Sequence, residues 1–210
     1  MGHCSFNAYD HKGLQAGVEK LELKIVYIIY FIKEGEMLKL IPREKSLVKG
    51  YKEYCQEFYD NNILTFRPTN PRNINENWFE QTAEWYEKKE KGIVDGYPKS
   101  FHYWAVDNDK FIGEFQLRPD LADELMVGIG SIGYSVRVTE WGKGYGKEIL
   151  KQGLEIARSF GLDKVLLNIT DDNVASSHIC EAAGGKLMDK ITVNTKDEGV
   201  HLMRRYWIHL

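Results

Sequence analysis

Five residues, Gly142-Lys143-Gly144-Tyr145-Gly146, follow an apolar-alternating strand and stand directly before a helix. Glycines that dense at a helix start leave several backbone N–H groups uncovered by side chains. Those groups carry the positive end of the helix dipole, about half an elementary charge. Such a turn suits a phosphate or pyrophosphate; the plainer reading is a tight turn whose glycines only relieve backbone strain. Two familiar phosphate loops do not fit. A Walker A loop ends in Gly-Lys followed by Ser or Thr, whereas Glu148 follows Lys147. A dinucleotide fingerprint needs a third glycine three residues past the second, where Lys147 stands, so a nicotinamide-linked oxidoreductase is disfavoured.

The spacing resembles the acetyl-CoA-binding core of the GNAT acetyltransferases, Arg/Gln-x-x-Gly-x-Gly/Ala after a strand ending Val-x-Pro. Gly144 and Gly146 match the two small positions, Gly142-Lys143 the usual Gly-Lys, and Val136-Arg137-Val138 stands where Val-x-Pro would. A buried strand, Lys164–Thr170, then leads to Asn173-Val-Ala-Ser176 and on to Gly184, which looks like the family's Asn-x-x-Ser…Gly helix. With the ending HLMRRYWIHL, the likeness is to a bacterial branch of predicted acetyltransferases and covers roughly Met37 to Leu210. It implies acetyl-CoA as co-substrate, with contacts from Val136, Arg137, Val138, from Gly142, Lys143, Gly144, Tyr145, Gly146 and Lys147, and from Asn173 and Ser176. Three positions depart from the pattern. Trp141 replaces the basic or amide residue that opens it, Cys180 stands where many relatives place a tyrosine that protonates the leaving thiolate, and Gly185 replaces an aromatic.

Acetyl transfer to an amine needs the neutral nucleophile. A lysine-like amine loses its proton at neutral pH at a cost of about 4.6 kcal/mol, an N-terminal α-amine at about 1.4 kcal/mol. The first kind of acceptor demands a base or a water relay. Alternation on Phe111–Arg118 puts Phe111, Gly113, Phe115 and Leu117 on one face, and Glu114, Gln116 and Arg118 on the other. Glu114 is therefore the candidate base, with a salt-bridged or solvated glutamate as its plain alternative. Tyr134 is a candidate donor to the thioester or thiolate, or a core tyrosine; Ser131 shares its strand. Charge developing on the thioester oxygen would meet a backbone N–H near Val136. Asn173 is placed to cap its helix, and the resemblance adds a pantetheine or phosphate contact. Cys180, seven residues on and so on the same face, is a weak acid candidate or inert packing. His102, His178 and His201 fall on separate elements without mutual spacing, so neither a triad nor a metal site is expected.

The elements that position these groups read as one α/β domain of α+β type, a twisted, mixed, mostly antiparallel sheet with helices on both faces. Leu38–Ile41 begins as a strand. A helix follows with Leu47, Tyr51, Tyr54, Cys55 and Phe58 at helical spacing. Arg67–Asn73 is a loop, and a second helix runs from about Asn75 to Lys91 with Trp78, Phe79, Thr82, Trp85 and Tyr86 on one face. Phe101–Val106 and Phe111–Leu117 form a hairpin across Asp107-Asn108-Asp109. Ile129–Val138 is the strand before the glycine turn, and the helix after it reaches Phe160. Val165–Ile169, a short helix ended by Gly184-Gly185, and strands over about Lys186–Val193 and Gly199–Ile208 complete the order.

With 210 residues, 43% hydrophobic and 28% charged, the chain suits one soluble domain with a sizeable core. A net charge of −3 gives no electrostatic reason for nucleic-acid or anionic-membrane partners. Cys4, Cys55 and Cys180 are too few and scattered for a disulfide framework or zinc site, which points to a reducing cytoplasm. The longest apolar run, Ile25–Ile32, is far short of the roughly 20 residues that span a bilayer. Met1–Glu36 fits no family element and reads either as an N-terminal extension or as an over-extended start, with Met37 the natural beginning; residues 37–210 form the acetyltransferase domain. The reading is an acetyl-CoA-dependent N-acetyltransferase, monomer or homodimer, acting on a small-molecule amine or peptide N-terminus in a ternary complex. The alternative is a catalytically silent acyl-CoA- or nucleotide-binding module.

Overall fold

The computed structural model describes residues 38–63, 68–120, 128–195 and 199–210, so the expectation for Met1–Glu36 lies outside the described residues, as do Arg67 and Cys4. The chain runs β1 (Leu38–Pro42), α1 (Val48–Asp60), α2 (Trp78–Lys91), β2 (Phe101–Asp107), β3 (Lys110–Leu117), β4 (Ile132–Val136), α3 (Tyr145–Ser159), β5 (Lys164–Thr170), α4 (Val174–Ala182), β6 (Lys186–Thr195) and β7 (Gly199–His209). The expected fold class is the observed one. The elements fall where the periodicity put them, with boundaries moved by local chemistry. The second helix starts at Trp78 rather than Asn75 because the Asn75 side chain accepts the Asn77 N–H (2.9 Å) and turns the backbone first. The strand before the glycine turn shortens to Ile132–Val136, its expected end closing as a 3-10 turn over Val138–Glu140.

The strands form two antiparallel sheets, in the order β1-β2-β3-β4 and β5-β7-β6. They are bonded to each other where the Ser131 N–H donates to Leu166 O (2.7 Å) and the Leu166 N–H donates to Ser131 Oγ (3.1 Å). Gly130 permits that approach: a Cβ there would lie 2.8 Å from Leu166 O, and its φ of +73° is left-handed. Beyond these bonds β5 pairs with β7 rather than with β4, and the two sheets part.

Helices cover both faces of the first sheet. On one, α1 buries Tyr51, Tyr54, Cys55 and Phe58 against Trp78, Trp104, Val106 and Phe111. On the other, α3 buries Ile149, Leu150, Leu154 and Ala157, brings Gly153 against the Phe115 ring, and bonds β1 through Gln152.

Two face assignments differ from expectation. Phe111 joins the α1 side, the side of Glu114, because Ala105 pairs with Gly113 and Val106 with Phe111, leaving Ile112 as a bulge. One extra residue reverses the faces on either side of it. Trp85 is 39% exposed, its ring meeting the edges of Tyr86 and Tyr97 rather than the sheet.

Candidate active site

The glycine turn leads directly into α3. Gly142 (φ +76°) and Gly144 (φ +89°) are left-handed, and a Cβ on either would meet nothing within 4 Å. Lys147 N–H and Glu148 N–H return to Gly144 O at 3.1 and 3.3 Å, starting the helix. The N–H groups of residues 142–146 donate to no protein acceptor among the described residues, and Gly144 provides no side-chain cap. Five successive N–H donors without a protein acceptor, two of them on glycines with open space beside them, make this turn a candidate anion nest.

The side chains around this row brace it. Buried Glu140 accepts from Lys110 (2.6 Å) and from Lys143 (2.9 Å), whose ammonium groups hold its carboxyl below the usual range. The Tyr145 hydroxyl donates to Asp107, a bond that pushes the phenol up to about 12. The Lys143 and Tyr145 side chains thus support the turn, leaving their main-chain amides toward the nest. Arg137 departs most from expectation. Its guanidinium is buried, donating to Glu57 of α1 (Nε, 2.9 Å) and to Phe111 O (3.1 Å), so its side chain ties α1 to β4 instead of reaching a cofactor. Val138 is half-buried against the α1 cluster. Lys147 is exposed on the first turn of α3. Trp141, 54% exposed, donates its indole N–H to Val136 O at 2.7 Å and so lies over the end of β4.

The gap between β4 and β5 holds a cavity of about 320 Å³ lined by Ile132–Tyr134, by residues 167–170, by Asn173 and Ser176, and by Arg118, His201 and Met203 among others. It adjoins the nest, since a Cβ on Gly146 would lie 3.7 Å from the Tyr134 ring and 3.9 Å from the Val136 side chain. Asn173 caps α4, accepting the Ser176 N–H at 3.0 Å. The Tyr134 hydroxyl is buried with no hydrogen-bond partner meeting ordinary geometry, beside Ser176 and Cys180. Burial raises it to about 12, and raises Cys180 to about 12 as well. Both groups therefore keep their protons at neutral pH. Ser131, bonded to β5, is a joint between the sheets.

Glu114 lies on the α1 face of the same sheet, directly across from Trp104 on β2 and Ser135 on β4. The Tyr54 hydroxyl donates to its Oε2 at 3.3 Å and shares a 2.6 Å hydrogen bond with Ser135 Oγ. Burial lifts the carboxyl to about 7, more than the Tyr54 bond and the nearby Arg43 charge lower it. Arg43 stands over the Tyr86 ring at 3.5 Å, with the Trp78 and Phe79 centroids each 5.1 Å away. Farther along the face, Gln116 and Arg118 follow Glu114, as the alternation requires. Sequence reasoning missed the surroundings of the carboxylate. Tyr54 reads as one more apolar position of a helical stripe, and Ser135 and Arg43 carry no local signal; sequence separations of 60 and 81 residues divide Tyr54 from Glu114 and Ser135.

A family model described as an acetyltransferase (GNAT) domain matches residues 52–186. No curated protein sequence matches the chain. Among solved structures, Mycobacterium smegmatis RimJ in complex with a CoA disulfide superimposes with a TM-score of 0.66 at 11% identity, covering 82% of this chain and 81% of that one. The microcin self-immunity acetyltransferase MccE, in complex with acetyl-CoA and AMP, gives 0.63 at 13% identity over 84% and 94%. The spermidine/spermine N-acetyltransferase SpeG from Vibrio cholerae gives 0.57 at 17% over 82% and 94%. At such identities these structures share the fold, while the domain match spans more than half of the sequence, including the glycine turn, Glu114 and the helix from Asn173: this chain belongs to the GNAT acetyltransferase family.

Proposed function

We propose that the protein is an acetyl-CoA-dependent N-acetyltransferase, with residues 37–210 as its catalytic domain, in which a primary amine attacks the thioester directly in a ternary complex. The observation that carries this reading is the row of five unpaired amides at the start of α3, beside space that a Cβ would fill. That donor set fits a pyrophosphate. Acetyl-CoA, when bound, supplies the activated acyl group. The amides of residues 142–146 hold the phosphate oxygens, and the α4 start at Asn173 and Ser176 borders the pantetheine path. The backbone near Val136 faces the charge that grows on the carbonyl oxygen. Glu114, poised near neutrality, takes the ammonium proton of the acceptor. As the new C–N bond forms and the C–S bond breaks, the buried Tyr134 hydroxyl donates a hydrogen bond to the departing sulfur, with Cys180 behind it; the second proton of the acetylated nitrogen ends on that sulfur, giving the neutral amide and the free thiol.

A silent binding module is the second reading, favoured by the Trp141 indole that occupies Val136 O where relatives carry a basic or amide residue. The two separate in one assay. With acetyl-CoA and a panel of amines, amine-dependent appearance of free CoA thiol is the expected result. Tight acetyl-CoA binding with no thiol released by any amine would establish the silent module instead.

A further inference from the structure

The face that bears Glu114 continues into a patch of cations whose partners, among the described residues, are neutral. Arg118 donates to Gly130 O (3.2 Å) and to the Gln116 side-chain oxygen. This draws its guanidinium back over Gly133, where a Cβ would sit 3.6 Å from both terminal nitrogens. Lys89, only 6% exposed, points its ammonium at the Trp85 and Tyr97 rings, 4.7 and 4.9 Å away. Beside them His102 Nε2 accepts from the Gln116 side-chain nitrogen (3.0 Å) and lies 3.2 Å from Ser100 Oγ. That arrangement keeps the ring neutral, and burial together with the Lys89, Arg118 and Arg43 charges pushes its pKa down to about 3. Lys89 is lowered to about 8 by burial and by Arg118. Among the described residues the acidic groups near the patch are Glu114, raised toward neutrality, and Glu90, raised by burial and close to Arg43; Asp120 pairs with Lys99 at 3.4 Å. Cations that repel one another in a half-buried space are relieved by a bound anion.

We propose that the acceptor carries a carboxylate a few bonds from its amine, an α- or β-amino acid or a peptide of similar reach, and that Arg118, backed by Lys89 and His102, receives it. This rests on the reading of Glu114 as the base. Glu114 lies across from Ser135, and the guanidinium lies over Gly133, two residues along the same strand and so about 6.6 Å away. An amine bonded to Glu114 and a carboxylate bonded to Arg118 span that interval when one or two carbons separate them. A guanidinium suits the task because its parallel N–H groups match the two oxygens of a carboxylate. Arg118 also lines the cavity between β4 and β5, on whose wall Tyr134 stands as well.

The test compares amino acids with the amines that lack their carboxylate, alongside an equilibrium measurement that needs no turnover. In the parent protein the amino acid of each pair should exceed its decarboxylated partner in kcat/KM by about 10–100-fold, the loss expected when one charge-assisted bond goes. Arg118→Gln should bring that ratio close to one, and Lys89→Met should narrow it. Sodium acetate, compared with sodium chloride at equal ionic strength, should raise Tm in the parent but not in Arg118→Gln. Equal kcat/KM within the pairs, or the same acetate shift in parent, Arg118→Gln and Lys89→Met, would overturn the proposal. If no amine releases CoA yet the acetate difference persists, the acetyltransfer reading fails while the carboxylate site is upheld.

Discussion

Glu114 is a carboxyl in a place where ionisation is costly, and that cost has consequences in catalysis and in stability. As a base it must be deprotonated, so kcat/KM for a lysine-like amine should rise with pH through about 7, the value to which burial lifts it. Glu114→Gln should remove this limb and lower turnover by about 10²–10⁴-fold at neutral pH, with partial recovery at higher pH where free amine exists without help. Acetyl-CoA affinity should barely change. Equal activity of parent and variant on such an amine at neutral pH excludes the role. The stability effect has a definite sign. A carboxyl raised in the folded state favours folding while it is protonated, and that contribution is lost as pH rises from its unfolded value toward and through about 7. Denaturant unfolding of Glu114→Gln should therefore gain on the parent between mildly acidic and mildly basic pH. A constant difference across that range would mean that the carboxyl is not held protonated by burial.

At the scale of elements, the glycine turn was legible because its chemistry is local: five consecutive residues fix both the open amides and the helix start. The same holds for Asn173, whose type and place before an apolar stretch announce a cap. Arg137 was not legible, since its guanidinium answers to Glu57, 80 residues earlier and on another element. The bulge at Ile112 was equally hidden. Strict alternation would place Phe111 opposite Glu114, and only the register against β2 shows otherwise. The cation patch follows from the alternation of Glu114, Gln116 and Arg118, but its other half comes from α2 and β2, which the pattern on one strand cannot supply. The turn itself can be tested against strain. Gly144 and Gly161 both have left-handed backbones, φ +89° and +81°, and at neither would a Cβ touch anything within 4 Å. Valine at either position should thus cost a similar 1–3 kcal/mol of stability. Gly144→Val should also lose most acetyl-CoA affinity, because its side chain projects in front of the amides, whereas Gly161→Val, beyond the far end of α3, should keep it. Equal affinities in the two folded variants would remove the turn as the phosphate site.

For the molecule as a whole, the two sheets are joined at Ser131 and Leu166, and the space between them is lined by Tyr134 and Arg118, with Gly146 of the glycine turn beside the Tyr134 ring. A ligand that bonds the α3 amides and runs past β4 toward α4 touches both sheets at once, and so binds the folded chain but not the unfolded one. Acetyl-CoA at about 100 times its dissociation constant should then add about 2.7 kcal/mol of stability. For a domain of this size that is a rise in Tm of roughly 5–10 °C. CoA should protect almost as well, since the contacts proposed for the amides are to its phosphates and not to the acetyl group. NAD carries a pyrophosphate too, but it lacks the pantetheine arm that would fill the gap beside Tyr134, and it should give little or no shift. Thermal unfolding with each of the three ligands decides the matter. A flat response to millimolar acetyl-CoA would overturn the proposed donor, and with it the roles assigned to the glycine turn, Tyr134 and Glu114. A shift from NAD as large as that from CoA would mean that the nest takes any pyrophosphate and that the cleft between the sheets adds no selectivity.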